Sequence, residues 1–165
     1  KDDPELTVRL VKGRDPLRVI VDSSFRVPLD AKALRILTAA GDRPPIVFTT
    51  LRADLSKIKA ARMAGVDVVV VGRSPQGVDL KRVSIELARR GVLSVLVEGG
   101  GTLAASFITQ GLADKLMVCY GPLMIGSDGF PSVGDLGVRS VKKAIRLRDI
   151  TVKKVSDDIL VVGYL

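Results

Sequence analysis

The chain has 165 residues, a net charge of +8 and 47% hydrophobic residues, with one cysteine and no histidine. The length fits one domain with its own core, and the hydrophobic content excludes an intrinsically disordered chain. The absence of histidine excludes imidazole bases, Ser-His-Asp triads and zinc sites built on histidine. A single cysteine allows no disulfide within the chain, which indicates a reducing compartment, and we expect the protein in the cytoplasm.

Four short apolar runs predict strands in the first two thirds of the chain. They are nearly continuous rather than alternating, which is typical of strands covered on both faces of a parallel sheet. The runs lie at residues 18–22, 46–49, 67–72 and 94–97. Apolar residues at helical spacing, with a glycine soon after each stretch, predict helices at residues 51–63, 80–90 and 101–110. This alternation with short connections indicates an α/β fold with right-handed crossovers.

The last third of the chain has a different pattern. Residues 115–120 predict a further strand, and a loop rich in glycine and proline follows at residues 121–137. Short β-branched runs then predict three strands joined by tight turns, at residues 144–148, 151–155 and 159–164. We therefore expect a mostly parallel central sheet flanked by helices, with antiparallel strands at the C-terminal end. Cys119, inside the strand at 115–120, is interpreted as a small buried hydrophobic residue.

The clearest candidate site is a glycine-rich turn between a predicted strand and a predicted helix, with the sequence VEGGGTLA at residues 97–104. Glycine lets backbone N–H groups approach a phosphate, and the helix N-terminus adds partial positive charge. Thr102 is a candidate cap of that helix or a direct ligand of an oxygen. Gly99, Gly101 and Ala104 fit the dinucleotide-binding spacing, but an ordinary dinucleotide fold places this motif after its first strand. A tight strand-to-helix turn is the structural alternative.

Polar residues near predicted strands are further candidates. Glu98 and Ser23 each follow a predicted strand, and open α/β sheets bind ligands outside the carboxyl ends of their strands. Arg9 is a candidate phosphate ligand, because a guanidinium group can hold phosphate with two hydrogen bonds. Each residue also has an ordinary structural interpretation: Glu98 as an acceptor for nearby backbone N–H groups, Ser23 as a cap, and Arg9 as a solvated charge.

Four motifs together resemble the pyrimidine reductase family of riboflavin biosynthesis. They are DDPELTVR at residues 2–9, RVIVDS at 18–23, VEGGG at 97–101 and PLMIGSDG at 122–129. They occur in the family's order across most of the chain. The resemblance implies a dihydrofolate-reductase-like fold and a homodimer. It also implies NADPH-dependent reduction of the ribosyl group of a ribosylamino-pyrimidine 5′-phosphate to the ribitylamino product.

The resemblance also implies roles for individual residues. Leu6, Arg9 and Glu98 would contact the substrate, with Arg9 on its phosphate. The residues that would contact the cofactor are Asp2, Ser23, Gly100, Gly101, Thr102, Leu103, Ala104, Ala105 and Ser106. No proton donor and no metal ligand is assigned, because the cofactor carries the chemistry and the protein mainly orients it.

The sequence departs from the family pattern on its N-terminal side. The family has a first strand with an M-S-x-D-G-like segment and then a G-x-x-T segment, both before the DDP motif, and neither occurs here. We therefore expect residues 1–165 to form a single reductase domain that lacks its N-terminal strand and those site segments.

Three other functions remain open. One is a different NADPH-dependent reductase of the dihydrofolate-reductase-like fold. Another is a basic nucleic-acid-binding domain, which the aromatic content of only 4% disfavours because stacking platforms are scarce. The third is a non-catalytic interaction subunit, which would fold but bind neither NADPH nor the substrate. We expect the positive charge to serve phosphorylated small molecules, with neither nucleic acid nor a membrane as a partner.

Overall fold

The computed structural model describes residues 5–29 and 43–165, so Asp2 lies outside the described residues. The chain divides into two compact units, Lys1–Leu93 and Ser94–Leu165. Within the described ranges, no helix combines the length and the hydrophobicity needed to cross a bilayer.

The first unit contains a parallel sheet of three strands in the order β1-β2-β3. The strands are β1 (Val19–Val21), β2 (Ile46–Thr49) and β3 (Asp67–Val70). The other elements are helix α1 (Leu55–Met63), a short hairpin of β4 (Arg73–Ser74) and β5 (Gly77–Val78), and helix α2 (Leu80–Arg89). The three strands and two helices confirm the predictions for this region. The hairpin was not predicted, because strands of two residues have no hydrophobic periodicity.

The central strand β2 is buried on both faces. Val47 packs in one hydrophobic cluster with Ile58 of α1, whereas Phe48 packs in a second cluster with Val83 of α2. Both Val47 and Phe48 are 0% exposed. Successive side chains of a strand point to opposite faces, so each helix covers one face of the sheet. This two-sided burial explains why the sequence of β2 is a continuous apolar run.

Side chains and glycines define the ends of the two helices. Asp54 caps α1 by accepting a hydrogen bond from Ser56 N at 2.8 Å, and Asp79 caps α2 by accepting one from Arg82 N at 3.0 Å. Helix α1 therefore begins at Leu55 rather than at residue 51. Past the helix ends lie Gly65 at φ +82° and Gly91 at φ +77°, as predicted for glycines that terminate helices.

The carboxylate of Asp22 organises the turn that follows β1. Its Oδ2 accepts hydrogen bonds from Arg26 N at 2.7 Å and Val27 N at 3.1 Å, and its Oδ1 accepts one from Ser24 N at 3.2 Å. The turn directs Phe25 into the core at 1% exposure, with a left-handed backbone φ of +50°. Such a φ costs about 1–3 kcal/mol, and burial of the ring offsets a cost of this size.

The second unit contains one helix and an antiparallel sheet in the order β6-β8-β7. Its elements are α3 (Gly101–Thr109), β6 (Lys115–Tyr120), β7 (Arg148–Val155) and β8 (Asp158–Tyr164). The sheet confirms the predicted antiparallel C-terminal strands. Two short 3-10 turns, Gly126–Asp128 and Val141–Lys143, lie between β6 and β7.

Two strand predictions in this unit are wrong. Residues 94–97 form no strand: Leu96 is 71% exposed, and none of the described strands pairs with this segment, so its apolar run alone does not produce a strand. Residues 144–147 are irregular, and Arg148 instead begins the long strand that also contains residues 151–155. The predicted boundary between two strands falls where the observed strand is irregular. Asp149 has φ +50°, and the register with β8 shifts between Arg148 and Thr151.

Cys119 is exposed, which corrects its interpretation as a buried hydrophobic residue. It lies on β6, an outer strand of the sheet, and its Sγ is 3.6 Å from Oδ2 of Asp158. Partial desolvation and the negative charge of Asp158 raise the pKa of this thiol. The thiol therefore stays protonated at neutral pH, as expected of a cysteine with no activating neighbour.

The first turn of α3 lies against the backbone of the glycine-rich loop. Gly134 N donates a hydrogen bond to Gly101 O at 2.9 Å. A Cβ at Gly101 would lie 2.4 Å from Pro131 O, a distance at which the backbone must shift. In the same loop, Arg139 donates hydrogen bonds at 3.0 Å to Asp135 and lowers the pKa of that carboxyl to about 2.

We expect Asp22→Ala to destabilise the protein by about 2–4 kcal/mol, because three backbone N–H groups lose their buried acceptor. Urea denaturation followed by circular dichroism measures this loss. Asp54→Ala is the control: it removes an exposed cap and should cost clearly less. Equal losses for the two variants would contradict the role given to Asp22.

We expect Gly101→Ala to destabilise the second unit by about 1–3 kcal/mol, because the added Cβ collides with the carbonyl of Pro131. Gly100→Ala is a matched control, since a Cβ at Gly100 meets nothing within 4 Å and its φ is −59°. Thermal unfolding of both variants checks the difference. A Gly101→Ala protein as stable as Gly100→Ala would show that the loop does not pack against this turn.

Candidate functional site

In the first unit, three segments meet at the carboxyl ends of the parallel strands. Ser23 follows β1, Thr50 follows β2, and the hairpin that contains Gly77 follows β3. Thr50 Oγ1 donates a hydrogen bond to Ser23 O at 2.7 Å. On another side, a Cβ at Gly77 would lie 3.9 Å from Cβ and Oγ of Ser23. The structure therefore places half-buried Ser23 at the sheet edge where α/β proteins bind ligands.

Sequence reasoning did not identify Thr50 as part of this edge. Thr50 is 2% exposed, and its hydroxyl also accepts a hydrogen bond from Arg52 N at 3.2 Å. The available signal was a Thr-Thr pair at the end of a buried strand. A buried hydroxyl requires a partner, and that partner was not visible before β1 and β2 were placed side by side.

Leu6 and Arg9 lie in the irregular segment that precedes β1. Leu6 is half-buried and has a left-handed backbone, with φ +53°, which costs a non-glycine residue about 1–3 kcal/mol. Val8 N, between them, donates a hydrogen bond at 2.8 Å to Oδ1 of Asp15. Arg9 is exposed, so its guanidinium group is open to an anionic ligand. Backbone strain at Leu6 marks this segment as one held by its surroundings.

In the second unit, the N-terminus of α3 is open. Gly100 is the N-cap residue, and no side chain caps the helix. The prediction that Thr102 caps it is therefore wrong, because Thr102 lies inside the first turn, where its carbonyl accepts a hydrogen bond from Ser106 Oγ at 2.8 Å. Leu103 N already donates a hydrogen bond to Gly100 O at 2.9 Å, so the earlier N–H groups of the first turn are the ones left without a helical acceptor. Within the described residues, no side chain caps them.

The three consecutive glycines have three different surroundings. A Cβ at Gly99 would lie 2.7 Å from Cδ2 of Leu103, at the far end of a flexible side chain. Gly101 faces the loop backbone, as described above, whereas a Cβ at Gly100 meets nothing within 4 Å. The open side at Gly100, together with the positive end of the helix dipole, fits an anionic group such as a phosphate.

The remaining predicted residues of this unit differ in exposure. Glu98 is exposed, and because residues 94–97 form no strand, it does not lie at the carboxyl end of a buried strand as expected. Thr102 is exposed, while Leu103, Ala104 and Ser106 are half-buried. Ala105 is 6% exposed, so its side chain packs into the unit.

Two further observations concern the parts of the chain that the structure describes. No group of three or more Cys, Asp or Glu side chains in residues 5–29 and 43–165 is arranged to hold a metal ion. A shallow depression of about 550 Å³ in the second unit is lined by residues that include Ile108, Asp114, Arg148 and Tyr164. It contains none of the predicted site residues, so we do not assign it to the site.

Two relatives from Aquifex aeolicus are similar in sequence. One, a 2,5-diamino-6-ribosylamino-4(3H)-pyrimidinone 5′-phosphate reductase, is 36% identical over 148 residues, covering 89% of this chain and 63% of the relative. The other, riboflavin biosynthesis protein RibD, is 33% identical over 162 residues, covering 98% of this chain and 42% of the relative. The chain thus spans less than two thirds of the length of these relatives.

A solved structure from Thermotoga maritima is similar in fold. It is a diaminohydroxyphosphoribosylaminopyrimidine deaminase/5-amino-6-(5-phosphoribosylamino)uracil reductase, with a TM-score of 0.73 and 26% identity, covering 99% of this chain and 42% of that one. This likeness confirms the expected dihydrofolate-reductase-like α/β fold. The family model described as RibD C-terminal domain matches residues 1–161. This chain therefore belongs to the RibD C-terminal domain family.

Proposed function

We propose that this chain is an NADPH-dependent reductase of riboflavin biosynthesis. It would convert the ribosyl group of a ribosylamino-pyrimidine 5′-phosphate into a ribityl group. The observation that carries this proposal is the family match over residues 1–161, which includes all four motifs noted in the sequence. The open N-terminus of α3 supports it independently, because the proposed cofactor and substrate are both phosphorylated.

The proposed cofactor contacts are Asp2, Ser23 and the segment from Gly100 to Ser106. The backbone from Gly100 to Ser106 would bind cofactor phosphate, with the uncapped N–H groups of α3 as donors. Ser23 would lie beside the cofactor at the carboxyl edge of the parallel sheet, and Asp2 would add a polar contact. When bound, NADPH supplies the hydride, so the protein's task is to orient the reacting groups.

The substrate would be held by Leu6, Arg9 and Glu98. The exposed guanidinium group of Arg9 suits a 5′-phosphate, to which it can donate two parallel hydrogen bonds. The exposed carboxylate of Glu98 is an acceptor for amino or hydroxyl groups of the substrate. The net charge of +8 favours the approach of a ligand pair that carries several phosphates.

We also propose that residues 1–165 act as one reductase domain and that two copies pair as a homodimer. The family match extends over both compact units, which supports a single functional domain. Light scattering of the purified chain measures the oligomeric state, and a monomer at assay concentration would contradict the dimer.

The proposed function predicts that the purified chain binds NADPH and oxidises it only when the ribosylamino-pyrimidine 5′-phosphate is added. Cofactor fluorescence measures binding, and loss of reduced-cofactor absorbance measures turnover. NADPH binding without oxidation in the presence of this substrate would favour a different reductase of the same fold. Salt-dependent binding of RNA or DNA by a chain that does not bind NADPH would favour a nucleic-acid-binding domain.

We expect Gly100→Ala to weaken NADPH binding about tenfold, because the methyl group occupies the open side that a phosphate would approach. The fold should be retained, since nothing lies within 4 Å of the added Cβ. Titration of cofactor fluorescence measures the dissociation constant. The control is Gly121→Ala, whose Cβ would make an ordinary 3.5 Å contact with Asp158. Unchanged affinity in Gly100→Ala would exclude this turn as the phosphate site.

A further inference from the structure

Strand β2 ends in Thr49, and Thr50 follows it; both residues are buried, but their hydroxyl groups have different surroundings. Thr49 is 0% exposed, and its Oγ1 has no hydrogen-bond partner in the described structure. Thr50 is 2% exposed, and its Oγ1 both donates to Ser23 O at 2.7 Å and accepts from Arg52 N at 3.2 Å. Thr49 and Thr50 are thus similarly buried, but only the hydroxyl of Thr50 forms a hydrogen bond with the turn after β1.

The hydrogen bond from Thr50 is a second tie to this turn, beside the one that Asp22 N donates to Phe48 O of β2 at 3.0 Å. Asp22 holds the later part of the turn through Ser24 N and Arg26 N. Neither of those bonds restrains the carbonyl of Ser23, which Thr50 Oγ1 holds instead. The carbonyl of Ser23 is thus held by the side chain of Thr50, the residue that follows β2.

The hairpin lies beside Ser23 on another side. Gly77 has φ +129°, and a Cβ there would make an ordinary contact with Ser23, 3.9 Å from its Oγ. The carbonyl of Ser23 is therefore held by Thr50, while its side chain faces Gly77. Sites that bind a ligand in one geometry are typically supported in this way by residues that do not touch the ligand.

We propose that Thr50 is a positioning residue of the cofactor site, which acts by holding Ser23 in the geometry that receives NADPH. This inference rests on the proposed function, in which Ser23 lies beside the cofactor. Thr50 itself is too buried to contact a ligand, so its influence on binding passes through Ser23. Removing its hydroxyl should impair cofactor binding while leaving the sheet intact.

The test compares Thr50→Val with Thr49→Val in the purified chain. Both substitutions are nearly isosteric, but only Thr50→Val removes hydrogen bonds. We expect Thr50→Val to raise the NADPH dissociation constant and KM about tenfold with kcat within about twofold, while Thr49→Val binds like the parent. Thr50→Ser should restore parental binding, because it keeps the hydroxyl.

Protein stability is measured in parallel by thermal unfolding. If Thr50→Val does not fold, Thr50→Cys replaces it, because a thiol is a much weaker donor than a hydroxyl, and about threefold weaker NADPH binding is expected. Parental NADPH affinity in folded Thr50→Val or Thr50→Cys, or equal weakening in Thr49→Val, would overturn the positioning role alone. Failure of the parent chain to bind NADPH would overturn the proposed function and the inference together.

Discussion

The burial of β2 on both faces is the constraint on which the first unit depends. Val47 and Phe48 point to opposite sides, so the strand requires a helix on each face, and α1 and α2 provide them. A strand covered in this way has only its ends near solvent. Its carboxyl end is thus the place where polar residues such as Thr50 meet the turn after β1.

Polar groups at that edge are held by a small number of buried acceptors and donors. The carboxylate of Asp22 satisfies three backbone N–H groups, and the hydroxyl of Thr50 satisfies the carbonyl of Ser23. Each bond contributes modestly, but leaving a buried polar group without its partner is costly. The same bonds that stabilise the turn therefore define the position of a proposed ligand-binding residue, which links stability to binding at this edge.

In the second unit, the glycine motif combines structural and functional requirements. Gly101 is required by the backbone of the loop that lies against it, and Gly99 faces the side chain of Leu103. Only Gly100 has open space where a side chain would be, next to the uncapped start of α3. The glycines of this turn therefore serve different purposes. Gly101 is explained by the tight turn, whereas Gly100 suits the proposed binding of a phosphate.

The sequence by itself determined the α/β class, most of the strands and helices, and the glycine turn, because hydrophobic periodicity and glycine chemistry are local properties. It did not determine pairing, which is why residues 94–97 were wrongly predicted as a strand and Cys119 as buried. Tertiary structure alone decided the link between Thr50 and Ser23, since a hydrogen bond across 27 positions of sequence has no local signature. It also decided which glycine of the motif faces open space, because that depends on a loop distant in sequence.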